Sequence, residues 1–511
     1  MIARVWRRAP WWMATGIAVL ALFDLQFSGA GTALRLIAMA IGLAGVLSAP
    51  LADALLLALA MSLFPGDAAL LGVLLALLYR TARDRSLGFG GSVQSMLLFG
   101  IFVSAACSAL FGLIVIEARP LQWFVWMATL GTPLLLLGGA FPFLPRQFAP
   151  LLSRFLVWVL WLQVPVCISQ LVRHGAPEPG DWFAGVWANA NMVGLWGAAT
   201  LSVCAVRLLT RTTALKGTRE WIVGCGHVAA ASFLVWGASA KLYSASIFGA
   251  AAFVTLLLTI AGTGVSRSGT ALRTGVAIFA ILLSGVLAQS WVQDNFEGLI
   301  SNWENSEKQI LLNRVVFGVA QRYNSILGVG PGMLGSRAAS AASADVLYKE
   351  GGSTLASLLG PAPKPERWAM YGLWDAEVVE GVTDRSALLT MPFSGWGSLR
   401  AELGWPAIVL LTFYFLSLGR QMAAIAARDP GLRSIGIAAA VGCAALLPML
   451  FFDNILEQPH IVGPLAILVI TARGVASGHK RTTSAASDRA PSFAGPADHP
   501  RPPSPLSRGY L

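Results

Sequence analysis

Apolar residues fill windows of roughly 20 positions along most of the chain, separated by short polar stretches, the pattern of helices that cross a bilayer. About fourteen windows occur, near 11–28, 33–50, 51–64, 68–79, 94–117, 122–144, 153–171, 192–209, 221–239, 244–262, 274–291, 402–419, 434–452 and 460–473. The third and fourth are short and meet at Phe64-Pro65-Gly66-Asp67. They read as two short spans or as one broken, re-entrant hairpin whose free backbone groups need cover from protein or water. A single long segment, 292–401, is too polar to span. The pattern therefore predicts an all-α polytopic bundle of about 12–14 spans. It divides into an N-terminal bundle (1–291), a large, partly helical external loop (292–401), C-terminal transmembrane helices (402–473) and a tail (474–511).

Charge placement orients the bundle. One set of alternate loops carries Arg4, Arg7 and Arg8; Arg80, Arg83 and Arg85; Arg146 and Arg154; Arg211, Lys216 and Arg219; Arg267 and Arg273; Arg420, Arg428 and Arg433; Arg473, Lys480 and Arg481. The opposite set holds little beyond Arg35, Arg119, Arg173 and Lys241. By the positive-inside rule both termini are cytoplasmic and the long loop is outside. Beyond Arg473 the chain is rich in Ser, Pro and Ala and poor in large apolar residues, so it is expected to be disordered.

Composition sharpens the class. Of 511 residues, 56% are hydrophobic and only 12% charged, about half the charge of a soluble chain. The net charge of +11 then marks cytoplasmic loops and anionic lipid, and nucleic acid is not an expected partner. All five cysteines lie in apolar runs and none in the long loop, so neither a disulfide framework nor a thiolate metal site is expected. Metalloprotease, phosphate-loop, serine-hydrolase and dinucleotide motifs are missing from the sequence, and no cofactor or metal is expected.

Candidate chemistry sits at the outer ends. Within the long loop, Leu311, Leu312, Val315, Val316 and Val319 recur at helical spacing, interrupted by Arg314, Gln321 and Arg322. The helix must end at Gly328-Val329-Gly330-Pro331-Gly332, where glycine frees the backbone and proline lacks a donor. Spacing alone favours an interfacial helix with snorkelling arginines; the same arrangement can also hold an anionic substrate. Lys241 can snorkel or bind a diphosphate. In the loop after Arg173, the amides Asn189 and Asn191 stand at the entrance of a span, as a helix cap or as partners for sugar hydroxyls. Acids run from Asp294 to Glu402, and at most one is needed as a base. His460, just outside the last span, reads more plainly as structural.

Four stretches taken together resemble the bacterial O-antigen ligase and polysaccharide polymerase superfamily, whose members carry one large outer loop late in a many-span chain. They are AGVWANANMVGLW from Ala184, with Ala190 where the family has proline, and ASAKLYSASIFGAA from Ala238, with Lys241 where arginine is usual. The third is NRVVFGVAQRYNSILGVGPG, with Arg314 as the motif arginine, and the fourth is PFSGWGSLRAELGWPAIVLL from Pro392, closing on Glu402-Leu403-Gly404. Family ligases carry His-Asn nine residues before the glutamate; Phe393 and Ser394 stand there instead, which favours a polymerase over a ligase. The resemblance implies a glycosyltransferase in the bacterial inner membrane, with the large loop periplasmic. Without metal, it moves glycan from an undecaprenyl diphosphate to a sugar hydroxyl, building a surface polysaccharide or exopolysaccharide. Arg314 and Lys241 would be the catalytic cations. Arg322, Arg173, Asn189, Asn191, Gly328, Gly330, Gly332 and Glu402 would bind substrate. Membrane lipid and other assembly proteins, such as a chain-length regulator, are the partners it admits. The alternatives are ligase-type transfer of a finished glycan to a lipid or protein, and, from another class, a lipid-linked saccharide flippase. A flippase would favour charges deep in the spans, where this chain has few.

Overall fold

The structure is a computed structural model describing residues 31–63, 67–84, 92–116, 120–139, 144–174, 185, 190–210, 218–236, 249–258, 318, 322–324, 326–342, 363–369, 395–450 and 454–488. Expectations for the windows at 11–28 and 274–291, and for Lys241, Asn189, Arg314, Phe393 and Ser394, lie outside these residues. Among the described residues every regular element is helical. In chain order they begin with α1 (Gly31–Ser48), α2 (Leu51–Met61), α3 (Asp67–Arg83) and α4 (Val93–Phe111), the last extended by a π-helical turn, Gly112–Ile116. Next come α5 (Pro120–Trp126), a second π-helical turn (Met127–Gly131), α6 (Thr132–Gly139), α7 (Phe148–His174), α8 (Ala190–Thr210), α9 (Thr218–Trp236) and α10 (Gly249–Leu258). After the short α11 (Arg337–Ala342) and α12 (Lys364–Ala369) the chain closes with α13 (Gly395–Arg428), α14 (Arg433–Met449), a 3-10 turn (Ile455–Glu457) and α15 (Pro459–Asp488).

Five stretches, Val93–Ile116, Pro120–Gly138, Phe148–Arg173, Gly395–Arg428 and Pro459–Ser477, are long and apolar enough to cross a membrane. The outward faces of two of them agree with that. On α4 the exposed residues Met96, Phe99, Val103 and Leu110 recur every three to seven positions, and on α13 Val409, Phe413 and Leu416 do the same. Such stripes are a liability in water and the normal surface of a helix in hydrocarbon. By contrast α2 is buried from Ala54 to Met61. The third and fourth windows are thus two helices, with α2 in the core, an arrangement shared by two short spans and by a re-entrant hairpin.

Polar groups within the bundle and at its surface fasten helix ends. Arg80 donates from Nη1 to the Val46 carbonyl at 2.8 Å. Arg473, 3% exposed, donates to Gln421 Oε1 and to the carbonyls of Leu137 and Gly138. Arg146 pairs with Asp429, Gln94 with Ser417 and Ser153 with Ser434. A second group ties His460 Nδ1 to the Ser62 carbonyl at 3.0 Å, which covers a carbonyl at the end of α2 and makes His460 structural. Each of these contacts joins helix ends that strict up-and-down alternation puts on the same side. Arg80 and Arg473 are thus internal clasps, although charge counting treats them as loop residues. The last helix also runs on through Asp488, past Arg473 where the apolar window closes. A helix already nucleated in a packed bundle extends cheaply through a polar, Ala-containing stretch, so composition alone misplaced its end.

Candidate functional site

The glycine turn of the long loop is built into a defect in α13. Gly404 has φ 77° and ψ −177°, a conformation open essentially only to glycine, so the helix breaks there. Pro406 follows and cannot donate to the Glu402 carbonyl four residues back. The break therefore leaves helical groups without their usual partners, and the loop takes them. Val329 N–H donates to Ala401 O at 2.8 Å, Gly330 N–H to Glu402 O at 3.0 Å, and Trp405 N–H to Ile326 O at 3.1 Å. From the other side Ser108 Oγ donates to Glu402 O, and Ser104 Oγ to Leu403 O.

Side chains lock the same junction. Asn324 Oδ1 accepts the N–H groups of Ile326 and Leu327, which turns the chain into the loop. Glu402, 1% exposed, accepts Leu334 N–H at 3.0 Å and the Ser336 hydroxyl at 2.6 Å on one carboxylate oxygen. Ser336 also caps α11 by accepting Ala339 N–H, and Ser398 donates to the Gly335 carbonyl. Gly328, with φ +78°, lies so close to α13 that a Cβ would fall 2.6 Å from the carbonyl oxygens of Ala401 and Glu402. Gly330 and Gly332 keep positive φ and lie against the Ser108 and Gln122 carbonyls, beside the π-helical turn that ends α4 and the start of α5. Past the loop, Glu457 of the 3-10 turn accepts Arg337 N–H and Asn454 Nδ2. Burial pushes the Glu457 carboxyl up to about 7, although these donors and the Arg337 charge pull against it.

Of the residues singled out in the sequence, Gly328, Gly330, Gly332 and Glu402 come together here. Glu402 spends its carboxylate on the loop, so its role in the fold is to hold the glycine turn. Arg322 is exposed, its guanidinium 5.3 Å from the Trp368 ring and 6.0 Å from Tyr323, with Trp368 also packed on Gly318. Arg173 is exposed near the end of α7. One turn earlier, Gln170 grips both backbone groups of Gly185, fastening the chain that leads to Asn191 at the start of α8; the Asn191 side chain is outside the described residues.

Sequence reasoning missed Arg400, Ser104, Ser108, Gln170 and Glu457. Only Arg400 carried a signal, as a cation two residues before a glutamate at the foot of a span; the others depend on which helices meet. No family model matches the chain, and no curated protein matches it.

Proposed function

We propose that the chain is a membrane glycosyltransferase that polymerises a surface polysaccharide or exopolysaccharide from a polyprenyl diphosphate-linked repeat. The supporting observation is the union of two of the four stretches that carry the family resemblance. The Gly-Val-Gly-Pro-Gly turn and the Glu-Leu-Gly segment, about 70 residues apart, form one buried junction.

In this reading the bundle has 12–14 spans and the long loop is periplasmic. An acceptor hydroxyl attacks the anomeric carbon with inversion and gives up its proton to water, the C–O bond to the diphosphate breaks, and the electron pair leaves with it. Charge grows on the diphosphate, so fixed cations stabilise the transition state more than the ground state. Arg314 supplies a bidentate fork and Lys241 a point charge. A strain deleted for the gene is expected to accumulate single repeats on lipid, and the wild-type gene to clear them. Arg314→Ala and Lys241→Ala, expressed at matched levels, are expected to clear them roughly a hundredfold more slowly. Accumulation of long unligated polymer would mean a ligase, and repeats trapped in the cytoplasm a flippase.

A further inference from the structure

The turn of α13 ahead of the break carries a buried cation with no counter-charge among the described residues. Arg400 is 8% exposed. Its guanidinium carbon lies 5.4 Å from the Trp405 ring centroid. Its Nε is enclosed with no partner, and none of its donors makes a hydrogen bond or ion pair with a described residue. The acids of the junction are engaged elsewhere: Glu402 with Leu334 and Ser336, Glu457 with Arg337 and Asn454. At 100° per residue, Ser398 and Glu402 share the side of the turn that meets the loop, and Arg400 faces away from it. A buried guanidinium is costly unless an anion satisfies it, and an aromatic face alone supplies only part of that.

The surface below Arg400 indicates what delivers the anion. Trp405, Val409, Phe413 and Leu416 are each about half exposed and recur every three or four residues. From Trp405 to Leu416 that face runs about 16 Å, close to the hydrocarbon depth of one leaflet. A tail lying along it sets its headgroup at Trp405, within reach of the guanidinium.

We propose that Arg400 binds the diphosphate of the lipid-linked donor, whose isoprenoid tail lies along the Trp405–Leu416 face of α13. This rests on the glycosyltransferase reading and adds a third cation to it. The test is native mass spectrometry of the purified full chain, titrated with undecaprenyl diphosphate, undecaprenol, phosphatidylglycerol or inorganic pyrophosphate. The wild type is expected to hold undecaprenyl diphosphate at least tenfold more tightly than the other three. Arg400→Gln is expected to lose that preference while binding undecaprenol as before, which also reports that the variant is folded. Arg400→Lys, which keeps the charge, is expected to retain part of the preference and serves if the glutamine variant does not fold. Full preference in either variant overturns the Arg400 assignment and leaves the glycosyltransferase reading standing. A wild type that cannot tell undecaprenyl diphosphate from undecaprenol defeats both. Equal binding of phosphatidylglycerol or pyrophosphate makes the site a general anion site and overturns the donor assignment alone.

Discussion

At the scale of single residues, Gly404 has the least freedom to change. A Cβ there would lie 1.8 Å from the Ile326 carbonyl oxygen, on a backbone whose φ and ψ are themselves costly for other residues. The backbone strain alone is about 1–3 kcal/mol, and the clash can be relieved only by pulling the loop off α13. Gly404→Ala is therefore expected to lower the thermal midpoint of the solubilised protein and to expose the 326–336 loop to protease. Gly249→Ala is the control, since a Cβ at Gly249 meets nothing within 4 Å. A Gly404→Ala protein as stable and protease-resistant as the control would show that the break does not depend on glycine. The sequence announces this position through Glu-Leu-Gly followed by Trp-Pro, but it cannot say what fills the gap, because the loop that does so lies far upstream.

At the scale of elements, α11 is pinned to the 3-10 turn through Glu457, and that joint is sensitive to pH. The carboxyl sits near 4.5 when unfolded and is raised to about 7 by burial. The folded state thus holds a proton that the unfolded chain releases between those values. The resulting stabilisation is complete below about pH 4.5, shrinks as the pH rises and is gone above about 7, roughly 3 kcal/mol in all. Thermal midpoints of the wild type should fall from pH 5 to pH 8 more steeply than those of Glu457→Gln, which stays neutral and keeps an acceptor for Arg337 N–H. Parallel profiles would discount the burial argument. Much of the element order was legible from hydropathy: windows at 33–50, 192–209 and 434–452 correspond to Gly31–Ser48, Ala190–Thr210 and Arg433–Met449. The start of α13 was not. Its first turns hold Arg400 and Glu402, buried by protein where hydropathy registers only contact with lipid.

At the scale of the molecule, the question is which side each end of the bundle faces. The arginine-rich loops are joined by Arg146–Asp429 and Ser153–Ser434, with Arg473 reaching the end of α6. The opposite group holds the glycine junction, Glu457 and His460. The positive-inside rule places the first group in the cytoplasm, and it rests on exposed charges. Arg80 and Arg473, being buried, contribute less to it than their number implies. Arg83, Arg428 and Arg146 remain at or near the surface and point the same way. In a background without the five native cysteines, single cysteines at Ser343, Gly431 and Ser487 separate the alternatives. An impermeant maleimide applied to intact cells is expected to label Ser343→Cys, and to reach Gly431→Cys and Ser487→Cys only after the membrane is opened. Because Gly431 and Ser487 follow different helices but share one predicted side, their agreement tests the alternation as well as the orientation. Labelling of Gly431→Cys but not Ser487→Cys in intact cells would mean that the number of crossings between them is odd, and the paired helix ends would need another explanation. Labelling of both, with Ser343→Cys protected, would turn the whole bundle over.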